Sequence, residues 1–263
     1  MQLNQARILL TGATGGLGQE LARQLHAQGA YLLLTGRDTE LLGTLQKSLG
    51  KNVDVAHADL NRGDGIANLA QVARTADINL LINNAGASAF DLFENQPWPT
   101  VDQVLLTCLH APIHLTHTLL PWLRLQPQAA IVNIGSSFGS IPFPGFVAYS
   151  AAKSGLKGFS QALRRELYDT HVSVIHISPR AIRTALNNAK VIALNHALNS
   201  TIDEASSVAE QILNALIRNV PEVHIGFPES LIAKLNGSFP GLIDRALGSK
   251  LPMVKQHASA CHS

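Results

Sequence analysis

The sequence predicts an α/β fold: a single doubly wound domain with a mainly parallel sheet and helices on both faces. Three observations carry this expectation. Short apolar runs alternate with helical stripes along the chain, and the runs are apolar without interruption, as in strands covered on both faces. No linker, internal repeat or low-complexity tract appears before about Gly226, so one unit is expected rather than two.

The elements follow in order. Arg7 to Leu10 is the first strand and ends in a glycine turn; Leu17, Leu21 and Leu25 then recur at helical spacing up to Gly29, a suitable C-terminal stop. Tyr31 to Leu34 gives the second strand and Asp38 caps the helix after it, which completes a βαβ unit. A strand at Asn52 to Ala56, a helix between Asn61 and Ala76, a strand at Ile78 to Ile82 and a long helix from near Pro97 to Pro99 extend the pattern. Pro112 and Pro121 are expected to kink or stop that helix, because each removes a backbone donor and crowds the preceding turn. Ala129 to Ile134 is the next buried strand, and from Tyr149 onward Ala152, Leu156, Phe159, Leu163 and Leu167 lie on one helical stripe. Val172 to Ile177 is the sixth strand. Thr201 with Glu204 resembles a capping box ahead of Val208, Ile212 and Leu216, and Glu222 to Ile225 forms the seventh strand. The domain is expected to span residues 1–227. Residues 228–263 then form a short helical extension packed on it, with two amphipathic helices marked by Leu231, Ile232, Leu235 and by Leu242, Ile243, Leu247. Plain packing on the domain is the reading adopted, with covering a pocket, meeting a second subunit or touching a membrane surface as the alternatives. The final HASACHS reads as a frayed tail.

Composition excludes several classes. Hydrophobic residues at 46% and charged residues at 14% supply a sizeable core and are too poor in charge for disorder. Lys and Arg number 20 against 18 Asp and Glu, a net +2 with no basic block, so nucleic acid is not an expected partner. Cys108 and Cys261 make no disulfide framework and no zinc spacing, which fits a reducing, cytoplasmic compartment. The N-terminus enters the first strand without room for a signal peptide. The uncharged stretch between Arg124 and Lys153 is broken by Pro, Gly, Asn and Ser, so no membrane span is expected. His110, His114 and His117 share a helical face, but no carboxylate accompanies them and no metal is expected.

The first chemical signal is the turn Thr11-Gly12-Ala13-Thr14-Gly15-Gly16-Leu17-Gly18 between the first strand and first helix. Glycines let the backbone turn tightly and approach phosphates, while the helix start offers free N–H groups and a positive dipole end. This is where a dinucleotide pyrophosphate docks in a βαβ unit. No Lys-Ser/Thr pair follows, so it is not a nucleoside-triphosphate loop. Arg37 follows the second strand, where the adenosine ribose would lie; an acidic residue there would favour NAD, whereas Arg37 beside Gly36 suits a 2′-phosphate. NADP(H) is the expected cofactor, with NAD(H) use still open.

A second constellation sits further along. Tyr149 and Lys153 are spaced i, i+4 at a helix start and share a face. A lysine charge about 4 Å from a phenol, at an effective dielectric near 20, is worth ~4 kcal/mol, or about three pKa units, which would make the phenol a usable acid–base group. Ser136 stands at the carboxyl end of the fifth strand, where open α/β sheets bind ligands, and Asn83-Asn84-Ala85-Gly86 ends the fourth.

Together these residues resemble the classical short-chain dehydrogenase/reductase family over about residues 5 to 227. The resemblance rests on TGxxxGxG at Thr11 to Gly18, Asp59-Leu60 after the third strand, NNAG at Asn83 to Gly86, Ser136, and YxxxK at Tyr149 and Lys153. It implies a Rossmann domain whose seven strands run in the order 3-2-1-4-5-6-7. It also implies Ser136, Tyr149 and Lys153 as the catalytic set. Tyr149 would exchange the proton with a carbonyl or alcohol oxygen, Ser136 would hold that oxygen, and Lys153 would depress the phenol pKa and bind the nicotinamide ribose. Gly12, Thr14, Gly15, Gly16, Leu17 and Gly18 would cradle the pyrophosphate, and Arg37 the 2′-phosphate. Asp59 and Leu60 would flank adenine, Asn83, Ala85 and Gly86 would line the adenosine side, and Pro179 and Thr184 would meet the nicotinamide end.

The chain departs from that family at two places. Cys108 stands where an Asn usually joins a water-linked proton relay, and Arg180 replaces the Gly of the usual Pro-Gly after the sixth strand, to narrow the nicotinamide end or meet an acidic substrate. Phe138, Ile141, Phe143, Phe146 and the stretch Leu186 to Leu198 predict an apolar pocket for a hydrophobic ketone, aldehyde or secondary alcohol. The leading expectation is an NADP(H)-dependent reductase or dehydrogenase acting as a homodimer or homotetramer. The alternative is a catalytically weak NADP(H)-binding regulatory or sensor protein, suggested by the two departures.

Overall fold

A computed structural model describes residues 2–259 of the chain. In chain order the elements are β1 (Arg7–Thr11), α1 (Gly16–Ala27), β2 (Tyr31–Gly36), α2 (Thr39–Leu49), β3 (Val53–His57), α3 (Gly63–Thr75), β4 (Leu80–Asn83), α4 (Trp98–Leu105), α5 (Ala111–Leu123), β5 (Ala129–Ile134), α6 (Val147–Glu166), β6 (Val172–Ser178), α7 (Ala189–Ala197), α8 (Ala205–Arg218), β7 (Glu222–His224), α9 (Glu229–Ser238), α10 (Pro240–Gly248) and α11 (Leu251–Ser259). The seven strands form one sheet in the order β3-β2-β1-β4-β5-β6-β7, and every pairing is parallel.

The uninterrupted apolar runs are explained by two cores. Alternate strand residues face opposite sides. Ile8, Leu10, Leu32 and Leu34 pack under Leu21 and Leu25 of α1, Leu42 of α2 and Ile212 of α8. Leu9, Leu33, Leu81 and Ile131 pack under Ile66 and Leu69 of α3 and Leu115 and Leu119 of α5. A strand buried on both faces has no polar face to show. Local signals agree with the chain path: Asp38 Oδ1 accepts from the Leu41 N–H at 2.9 Å as the cap of α2, and Gly29 takes φ +83° after α1.

The structure refines several expectations. The helix from Trp98 is interrupted just before Pro112 by a π turn over Leu106–His110 that joins α4 to α5, and Pro112 falls in the first turn of α5 where a missing N–H costs little. Pro121 lies in the last part of α5 without ending it. The capping box at Thr201 and Glu204 does not form, because the Glu204 carboxylate accepts from Arg183 instead. The extension holds three helices rather than two, and α11 continues through Ser259, so residues 257–259 are helical; residues 260–263, with Cys261, lie outside the described residues. The stretch after β6 holds a further helix, α7, capped by Asn188 Oδ1 accepting from Val191 N–H at 3.0 Å.

The extension packs on the domain through Val254 and Ala258 of α11, which join Phe90, Phe146, Val191 and Leu194. No helix among the described residues is long and apolar enough to cross a membrane.

Candidate active site

Strand order reverses between β1 and β4, so the loops leaving their carboxyl ends diverge and open a crevice. The crevice is held by side chains from both strands. Thr11 Oγ1 accepts from the Asn84 and Ala85 N–H groups at 2.9 and 3.0 Å, and Asn84 Nδ2 donates to the Thr11 and Gly12 carbonyls at 3.0 and 3.2 Å. This close approach requires glycine at position 12, where φ is +64° and a Cβ would lie 2.7 Å from Ala85 Cα. A Cβ on Gly18 would collide with the Gly12 carbonyl, so α1 reaches its turn only without a side chain there. No side chain caps α1 at Gly15, which leaves its first N–H groups facing the crevice.

The crevice continues into a cavity of about 1110 Å³ lined by residues from both halves of the chain. It brings together Ser136, Tyr149 and Lys153 with Gly12, Thr14, Gly15, Gly16, Leu17, Gly18, Arg37, Asp59, Leu60, Ala85, Gly86, Pro179 and Thr184. Arg37 is exposed at one end and has no ion pair among the described residues. Backbone donors at α1, a glycine-lined floor and a cation at the end of β2 fit a dinucleotide.

Asn83 does not reach the cavity. Its amide donates to Asn133 Oδ1 at 2.8 Å and Thr116 Oγ1 at 3.2 Å inside the fold. Asn133 donates in turn to Ser160 Oγ at 2.9 Å, and Ser160 Oγ pairs with His176 Nδ1 at 3.1 Å. The strand's two-residue period explains the correction: Asn83 points inward, and its neighbour Asn84 lines the cavity.

At the chemical end, Ser136 follows β5 and accepts from Phe138 N–H at 3.2 Å, which fixes its hydroxyl at the mouth of the strand. Tyr149 sits in the first turn of α6, with its ring met edge-on by Phe138 and Phe146 at 6.4 and 6.5 Å. Burial pushes the Tyr149 phenol above the ordinary phenol range, the neighbouring Cys108 adds to this, and hydrogen bonding with Ser136 opposes it. Lys153 is buried and donates to the Ile134 carbonyl at 2.9 Å, while its Nζ stands 5.7 Å from the Tyr149 ring centroid. Burial also lowers the Lys153 pKa. Lys153 thus stands beside the phenol with one N–H given to the β5 carbonyl, and in the nucleotide-free protein burial sets the direction of both shifts.

Cys108 stands in the π turn, fully buried, accepting from Ala87 N–H at 3.3 Å and donating to the Ala87 carbonyl at 3.1 Å. Pro112 has no N–H, so the Cys108 carbonyl lacks its usual helical donor. Arg180 lines the cavity beside Pro179, but its charge is already paired rather than open to an acidic substrate. It donates to both oxygens of Asp203 at 2.9 and 2.8 Å, to the Phe227 carbonyl at 2.9 Å and to Glu229 at 3.1 Å. No group of three His, Cys, Asp or Glu side chains among the described residues is placed to hold a metal ion.

The apolar end of the cavity is broader than the sequence reading anticipated. Phe138, Ile141, Phe143 and Phe146 line it, as do Val191, Leu194 and Leu198, but so do Ile232, Leu242, Ile243 and Leu247 from the extension. Their amphipathic spacing was the available signal; which surface they cover depends on the tertiary fold.

The short chain dehydrogenase family pattern matches residues 6–194. Nodulation protein G of Rhizobium sp. (strain N33) is 34% identical over 222 residues, covering 79% of this chain and 89% of that protein. Two solved structures share the fold. A short chain dehydrogenase/reductase from Burkholderia phymatum in complex with NAD superposes with a TM-score of 0.84 at 22% identity, covering 92% of this chain and 96% of that one. A short chain dehydrogenase from Burkholderia cenocepacia J2315 in complex with NADP gives 0.82 at 24% identity, covering 94% and 99%.

Proposed function

The chain belongs to the short chain dehydrogenase family, and from that premise we propose that it is an NADP(H)-dependent oxidoreductase acting on an apolar ketone or aldehyde, or the matching secondary alcohol. One observation carries the reading: the Tyr149 phenol, held beside Ser136, shares a cavity with Lys153 and an uncapped helix N-terminus. When bound, the nicotinamide supplies or accepts hydride.

The protein's residues supply orientation and a proton. Ser136 accepts from Phe138 N–H, which holds its oxygen in place, and its hydroxyl hydrogen is donated to the substrate oxygen. Tyr149, kept protonated by burial, donates its phenolic proton to that oxygen as negative charge develops on it during reduction. Lys153 keeps N–H donors beyond the one given to Ile134 and offers them to the nucleotide ribose. Arg37 binds the 2′-phosphate, and the NADP complex of the Burkholderia cenocepacia relative is in keeping with that choice. The aromatic and aliphatic wall excludes water and holds the apolar part of the substrate. Within this proposal the enzyme works as a homodimer or homotetramer in the cytoplasm.

The test follows the absorbance of NADPH and NADH over a panel of apolar ketones and aldehydes. Consumption of NADPH that depends on the carbonyl supports the proposal. Tight nucleotide binding with no turnover across the panel would favour the regulatory alternative.

A further inference from the structure

Helices α9 and α10 lie beyond the last strand, yet they form part of the cavity wall, and the start of α9 is held there by Arg180, whereas α11 packs on α7. Arg180 follows Pro179 at the nicotinamide end. Its guanidinium makes a two-pronged bond to Asp203, where the α7 segment returns, and bonds to the Phe227 carbonyl and the Glu229 carboxylate at the start of α9. The side chain is 13% exposed, and Gly226, with φ +105°, lies so close that a Cβ there would fall 2.7 Å from Arg180 Cδ. Three segments far apart in sequence are thus joined by one cation, whose planar fork matches the Asp203 carboxylate. Farther along α9, Asn236 Nδ2 donates to the Ser140 carbonyl at 2.9 Å, which ties the same helix to the turn after Ser136.

We propose that Arg180 is a positioning residue that fastens α9, and α10 packed on it, over the substrate end of the cavity, making these two helices a cap that selects carbonyl substrates with long apolar chains. The inference rests on the reductase reading above. A short ketone reaches Ser136 and Tyr149 without touching the cap. A longer chain meets Ile232, Ile243 and Leu247, and each methylene it buries there is expected to lower KM about fourfold. Lys or Gly at position 180 cannot hold three segments at once: Lys lacks the fork, and Gly lacks any donor.

The experiment measures KM for a homologous series of methyl ketones with NADPH, and hydrogen exchange of the α9 and α10 amides, in the wild type, Arg180→Gly and Glu229→Gln. In the wild type KM falls steadily with chain length. In Arg180→Gly the fall flattens, KM for the longest ketones rises tenfold or more, and amides of Glu229–Gly248 lose protection while those of the sheet keep theirs. Glu229→Gln retains the Arg180–Asp203 pair and is expected to shift both readouts in the same direction by less, so it carries the test if Arg180→Gly does not fold. Equal KM changes at every chain length, or unchanged protection of α9 and α10, would overturn the proposal. Hydrogen exchange needs no turnover, so a protein that reduces none of the ketones refutes the reductase reading while the latch is still judged by its amides.

Discussion

Replacing Arg37 by Ala should convert a preference for NADPH into near indifference between the two nucleotides. Arg37 lines the cavity just after β2 and has no competing anion among the described residues, so its charge is available to a 2′-phosphate. A charge-assisted hydrogen bond contributes about 1.5–3 kcal/mol, which corresponds to about ten- to a hundredfold in affinity. Arg37 is exposed, and solvent and salt screen its charge, so the lower end applies: about tenfold weaker NADPH binding. NADH has no 2′-phosphate and should lose about twofold or less. The assay is fluorescence titration of wild type and Arg37→Ala with each nucleotide at low and high ionic strength, where the wild-type preference should shrink as salt rises. Equal weakening of NADPH and NADH, or no change in either, would refute the assignment of Arg37 to the phosphate.

Two other predictions concern protons. In the nucleotide-free protein the Tyr149 pKa is raised by burial, so an ultraviolet difference titration of wild type minus Tyr149→Phe should show no phenol ionisation below about pH 10; a component with a midpoint near neutrality would contradict this. His176 is held down to about 3, chiefly by burial, and its Nε2 has no hydrogen-bond partner among the described residues. The unfolded chain binds this proton below about pH 6.5 and the folded chain does not. Its contribution to stability therefore falls as pH drops from about 6.5 toward 3, by roughly 1.4 kcal/mol per pH unit. Urea unfolding of wild type and His176→Gln between pH 7 and 4.5 should show the steeper loss in the wild type, and parallel curves would disprove it.

Signals that act within a few residues were readable in the chain. Asp38 caps the helix it precedes, Gly12 and Gly18 stand where side chains would collide, and the four-residue spacing puts Tyr149 and Lys153 on one turn of α6. The family resemblance supplied the strand order and the membership of the catalytic set, which local spacing alone does not contain. What escaped depends on tertiary contact. Arg180 finds partners 23 and 49 positions away, so its anchoring role leaves no local trace. Val191, Ile192 and Leu194 follow no single helical stripe, which concealed α7. The sharing of Asn83 and Asn84 between interior and cavity follows from the strand period, a signal the NNAG motif obscures by treating them as one unit. Spacing reports the proximity of Tyr149 and Lys153 and says nothing of the burial that raises the phenol pKa in the nucleotide-free protein.

The central claim is that the Tyr149 phenol delivers the proton to the substrate oxygen. It is tested most directly by single-turnover oxidation of bound NADPH with a saturating apolar ketone, in the wild type and in Tyr149→Phe, with NADPH affinity measured on the same samples. The phenyl ring retains the aromatic packing with Phe138 and Phe146 and removes only the hydroxyl. The account predicts unchanged nucleotide affinity and a rate lower by about 10²–10⁴-fold. A Tyr149→Phe protein that oxidises NADPH at the wild-type rate would contradict it.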